Sequence, residues 1–185
     1  MQASRVGFGL AAALAALMVL PQVALADDPP APTDTVATPG GAFSAKTEIV
    51  AGPALQVIFG ERAVFHLDAK GEPVLDSVEK GPLAMAHPTG EVKETFEAPG
   101  PGKLAIALDG SPQKKASYLK IWNGLDHPVL YRAGVLAYEG GALKPTTVRV
   151  CAAPSGGVNS QTWPAPIAAV VVANFTAAAS ASSCK

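Results

Sequence analysis

Three histidines hold most of the chain's capacity for proton transfer or metal ligation near neutral pH, and each has a carboxylate or a thioether close by in sequence. His66 stands two residues before Asp68, so on a strand their side chains share a face. His127 follows Asp126 directly, and His87 comes two residues after Met85. Imidazole with carboxylate or thioether is a ligand set for zinc or copper, which makes His66, Asp68, His87 and His127 the candidate metal ligands. The pattern is sparse: the chain has no H-x-H and no H-x-x-x-H, and the three histidines come from separate segments. The expectation is therefore no resident metal and no cofactor, each histidine being a surface group tuned by a neighbouring carboxylate.

Nucleophile signatures are equally thin. The chain has no G-x-S-x-G and no cysteine beside a histidine. Ser155-Gly156-Gly157 follows Pro154 and reads as a turn. Asp68, Asp76 and Glu79 lie on or near one hairpin, where carboxylates are mostly solvated. No catalytic residue is expected, and the chain reads as a non-enzyme.

Two other pairs carry structural or binding chemistry. Cys151 and Cys184 are the only cysteines, and in an oxidising compartment two cysteines most simply bond to each other. The bridge spans 184 − 151 = 33 positions, worth roughly 3.5–4 kcal/mol by the chain-entropy argument. Its expected role is to lash an Ala/Ser-rich tail onto the outer face of a sheet. Trp122 lies on the strand face opposite Leu119 and Ile121, and Trp163 opens Trp163-Pro164-Ala165-Pro166. Exposed together, the two tryptophans would form a contact patch, since Trp is favoured at binding hot spots.

The elements that must position these residues read in order along the chain. Met1–Ala26 has one basic residue, Arg5, then the apolar run Val6–Leu20, then Ala24-Leu25-Ala26 before Asp27. That is the grammar of a cleavable secretory signal, and the run is shorter than a membrane span. Removing 26 of the 185 residues leaves 159, enough for one domain with an ordinary core. Residues 27–46 carry four prolines and Gly40-Gly41 and read as a flexible linker. From residue 47 to 176, short apolar runs alternate with Gly, Pro, Asp and Asn clusters, the spacing of an all-β domain. Residues 177–185 form the tail.

The clearest unit is a hairpin. Ala63, Phe65 and Leu67 alternate with Arg62, Val64 and His66, the turn follows at Ala69–Glu72, and Pro73–Glu79 returns. Leu104, Ile106 and Leu108 line one face of a strand, Tyr118–Trp122 form another, and Val129–Tyr138 is apolar on both faces. Thr146–Ala152 is a β-branched run, and Ile167–Phe175 reads as a buried strand. Leu83–Gly102 is looser, with one short strand over Val92–Phe96. About eight strands and no amphipathic helix predict a single β-sandwich, immunoglobulin-like in its finer form, with a small closed barrel as the alternative.

Charge narrows the partners. Fourteen basic against fifteen acidic residues, with 16% charged overall, provide no footprint for nucleic acid. The reading is an exported protein, periplasmic or secreted, with no membrane span after signal cleavage. It is expected to act by contact with an unknown protein or envelope component. A small-ligand or transition-metal binding module of the periplasm is the alternative.

Overall fold

The computed structural model describes residues 37–38, 41–86, 92–111 and 113–184. Their strands run β1 (Ala37–Thr38), β2 (Gly41–Ala42), β3 (Glu48–Val50), β4 (Ala54–Ile58), β5 (Glu61–Leu67), β6 (Pro73–Lys80), β7 (Ala84–Ala86) and β8 (Val92–Glu94). They continue with β9 (Leu104–Ser111), β10 (Ala116–Asn123), β11 (Val129–Glu139), β12 (Ala142–Val148), β13 (Val158–Trp163) and β14 (Ile167–Ala177). Among the described residues there is no helix.

Period-two alternation builds the sheets. Sheet one has the order β13-β10-β9-β5-β6 and sheet two the order β12-β11-β14-β4-β3, every pair antiparallel. One core joins them: Phe65, Leu104, Ile106, Leu108, Leu119 and Ile121 of sheet one meet Leu55, Val57, Tyr131, Val135, Val170 and Val172 of sheet two. The protein is a β-sandwich. Each sheet ends in open edges, so the closed barrel is set aside. Phe175 fastens the two halves, its ring 5.4 Å from that of Phe65 and stacked on Tyr131 at 6.0 Å. Burial pushes the Tyr131 phenol well above its usual pKa.

Corners follow from local chemistry. At the β4–β5 corner the chain leaves sheet two for sheet one, and the Phe59 N–H donates to Ala168 O while the Gly60 N–H donates to Leu108 O. The hairpin turn after β5 falls where the alternation predicts it. Asp68 Oδ1 accepts from the Lys70 and Glu72 N–H groups at 2.8 and 2.9 Å, and Gly71 takes φ +78°.

β9 runs on to Ser111 and the chain reverses over Gln113–Lys115. Three expectations need correction. β12 ends at Val148 rather than running through Ala152. Val150 and Ala153 instead leave the sheet to plug the end of the main core, and Val129 pairs with Ala153. Cys151 lies in that connection, bonded to Cys184, so the tail is lashed to the end of the sandwich and not to a sheet face. The Ala152 N–H donates to Ser183 O and the Ala178 N–H to Pro128 O along the same track. Finally, the linker does not reach residue 46. Phe43 is buried against Leu136 and Ala169 on the outer side of sheet two, and the buried Gln56 amide donates to Ser44 O and Lys46 O and accepts from the Ser44 N–H. One apolar ring and one satisfied amide are enough to dock this stretch. The segment expected to be a signal, and most of the expected linker, lie outside the described residues.

Replacing both cysteines by serine is expected to lower the unfolding free energy by roughly 2–4 kcal/mol, read from urea unfolding under oxidising conditions. An unchanged midpoint would contradict the role of the bridge.

Candidate functional site

Sheet one is apolar on its outer side as well. Val64, Ala105, Ala107 and Trp122 project there, opposite the main core, and are buried. They are covered by the chain that connects β6 to β9. This segment passes Leu83 and Phe96 over the four residues and carries the two-stranded hairpin β7–β8 between them.

The root of this strap is held by Arg62. Its guanidinium lies over the Phe96 ring at 5.1 Å and the Trp122 ring at 4.8 Å, stacking that suits a planar, weakly hydrated cation. One terminal nitrogen donates to Glu79 Oε2 at 3.0 Å and the other to Glu97 O at 2.7 Å. The residue is 4% exposed, so its charge is tolerated only because these partners and both π faces compensate its lost hydration. Lys120 adds a second cation, 5.0 Å from the Trp122 ring and paired with Glu94 of β8. Asp109 Oδ2 accepts from the Leu83 N–H at 2.7 Å, and the Thr95 N–H donates to Leu83 O. Beyond this root, Met85 is 55% exposed and Val92 is 72% exposed.

The tryptophan pair therefore does not form a contact patch. Trp122 is 3% exposed beneath the strap, while Trp163 packs on the main core from the opposite face of sheet one. The register shows why: Trp163 pairs with Ser117, five residues from Trp122 along β10 and of opposite parity.

His66 finds a different carboxylate from the one its sequence neighbours suggest. β6 carries a bulge at Asp76, because Val64 pairs with Ser77 and Phe65 with Leu75. The extra residue re-aims its side chain, and Asp76 Oδ1 lies 2.8 Å from His66 Nδ1 while Oδ2 lies 2.9 Å from Lys103 Nζ. The Lys103 ammonium first, and His66 second, hold the Asp76 carboxyl below its usual value. Asp68 is occupied by the turn, where the Glu72 and Lys70 N–H groups lower its pKa. Asp126 pairs with His127 at 2.7 Å and is lowered by it. His87 lies outside the described residues. Among the described residues no group of three or more His, Cys, Asp and Glu side chains converges as a metal site.

Sequence reasoning missed the roles of Arg62, Phe96 and Lys103, and read Asp76 as a solvated hairpin carboxylate rather than the partner of His66 and Lys103. Arg62 occupies an outward position of an alternating strand, which reads as solvent-facing unless the strap's path is known. A one-residue bulge leaves no mark in composition.

The geometry has a pH consequence. Asp76 has a folded pKa below its ordinary 3.8, so its stabilisation is present above that value and fades as pH falls through the folded pKa. Asp76→Asn is expected to lower stability at pH 7 and to flatten the acid limb of a melting-temperature profile below pH 4. An acid limb identical to the wild type would refute this assignment.

No family model, curated protein or solved structure matches this chain.

Proposed function

We propose that the protein is an exported, non-catalytic β-sandwich that works by contact with a protein or envelope component, and that the β7–β8 arm is the contacting part. The observation that carries this reading is a hairpin too short to bury its own apolar residues, presenting Met85 and Val92 to solvent from a root bolted by a buried arginine. Binding residues concentrate on exposed segments held by a rigid scaffold, and a preorganised root lowers the ordering cost of association. Export rests on the Met1–Ala26 pattern. The Cys151–Cys184 disulfide is compatible with an oxidising, extracytoplasmic compartment. The immunoglobulin-like description rests on the architecture of two facing antiparallel sheets.

A second reading, a periplasmic module for a transition metal or small ligand, is favoured by His66. A carboxylate on Nδ1 is the usual way to orient a ligating imidazole, and it leaves Nε2 without an Asp76 contact.

Two measurements bear on these readings. In native mass spectrometry of protein purified without chelator, the expected species begins at Asp27 and is two hydrogens lighter than the reduced chain. Retention of Met1 would contradict export by this signal, and a stoichiometric metal mass would favour the second reading. In affinity capture from envelope extract, the wild type is expected to retain a component that Met85→Asp/Val92→Asp loses at unchanged melting temperature. Identical retention by both proteins would remove the arm as the contact site.

A further inference from the structure

A bare sheet edge is a template for another strand, and proteins guard edges with charge, proline, bulges or brevity. Three of the four edges in the two large sheets are guarded in these ways. β6 has its bulge at Asp76 and carries Glu79 and Lys80. β12 contains Lys144 and Pro145, and β3 is three residues long with Glu48. β13 is different. Val158-Asn159-Ser160-Gln161-Thr162-Trp163 has neither charge nor proline, and it pairs with β10 at six successive positions without a bulge. Pro164 and Pro166 lie beyond its end.

One hydrogen bond fixes which groups face outward. The Asn123 N–H donates to Gly157 O at 2.9 Å. Hydrogen-bonded pairs alternate along an antiparallel ladder, so Asn159, Gln161 and Trp163 turn their backbone groups toward β10. Val158, Ser160 and Thr162 turn theirs toward the open edge. All three residues are exposed, and among the described residues no turn or loop backbone group bonds to them.

We propose that this edge docks a second copy of the chain, β13 lying antiparallel to the other β13 about a two-fold axis at Ser160. The strand's own pattern selects that occupant. In this register Val158 faces the second copy's Thr162, and Ser160 faces its counterpart. All three outward-facing residues thus enter hydrogen-bonded pairs and exchange about six backbone hydrogen bonds. Val158 and Thr162 are both β-branched residues favoured in strands. A second copy brings no charge to an uncharged edge, so no like charges oppose the approach. The contact is isologous and closes at two subunits, extending sheet one of each copy into a common sheet of ten strands. It lies at the opposite edge of sheet one from β6, where the strap starts, and is independent of the arm's proposed role.

Sedimentation equilibrium of the disulfide-intact protein over a concentration series tests the proposal. A monomer–dimer equilibrium is expected. Ser160→Lys, which sets two ammonium groups opposite each other at the axis, is expected to weaken the dimer at least about tenfold while leaving the melting temperature of the dilute monomer unchanged. Ser160→Glu is expected to do the same, and Thr146→Lys on the β12 edge to leave the dimer unchanged. A monomer at every concentration up to about 0.1 mM, a dimer that both Ser160 variants leave intact, or one that Thr146→Lys weakens equally would each overturn it.

Discussion

The strand Leu104–Ser111 carries apolar side chains on both of its faces, and a sheet built around such a strand must be covered twice. Leu104, Ile106 and Leu108 are covered by sheet two, whose Tyr131, Val170, Val172 and Phe175 complete one continuous core. Ala105 and Ala107 look the other way, and sheet two cannot reach them. Much of the remaining architecture follows from that second demand. The β6–β9 connection is long because it has to cross the outer face, and the small alanine side chains let its Phe96 and Leu83 lie close to the sheet.

Covering the outer face with a single segment sets an electrostatic problem. Arg62 sits in the middle of that face, and burying a guanidinium costs several kcal/mol unless its hydrogen bonds and charge are compensated. Glu79 and the Glu97 carbonyl compensate two nitrogens, and the guanidinium lies over the rings of both Phe96 and Trp122. Arg62 Nε and Thr95 Oγ1 are left buried without partners among the described residues. Unsatisfied polar atoms of this kind cost roughly 1–3 kcal/mol each, and the main core carries one as well, the Tyr131 hydroxyl. Lys120 and Asp109 supply polar contacts on either side. The result is a surface segment anchored at its root, with Met85 and Val92 exposed beyond it.

The parts of this structure legible in sequence were those governed by local alternation. The β5–β6 hairpin declares itself through Ala63, Phe65 and Leu67 on one face and a Gly71 turn. Ile167–Phe175 shows itself as a central strand through a run too apolar to have a wet face. Two cysteines leave only one intramolecular pairing. Strands β3, β4 and β13 carry signals that depend on neighbours: Gln56 is a polar residue buried through bonds to Ser44 and Lys46, and β13 is polar at Asn159, Ser160, Gln161 and Thr162. The candidate site was legible only in fragments. His66 was identifiable, but its partner Asp76 arrives through a bulge and Lys103 through the register of β9 against β5. The face of Trp122 follows from the alternation of β10, yet the strap that buries it comes from a segment with almost no periodicity.

Native-state hydrogen exchange on Arg62→Ala tests the central claim, that Arg62 bolts the strap to an otherwise self-sufficient sandwich. The Leu83 amide, bonded to Asp109, and the Thr95 amide, bonded to Leu83, report the strap, while the Ile106 and Leu119 amides report the core. The expected result is that the strap amides lose protection together in the variant while the core amides retain theirs. Strap amides protected as in the wild type, or strap and core amides released as one unit, would contradict it.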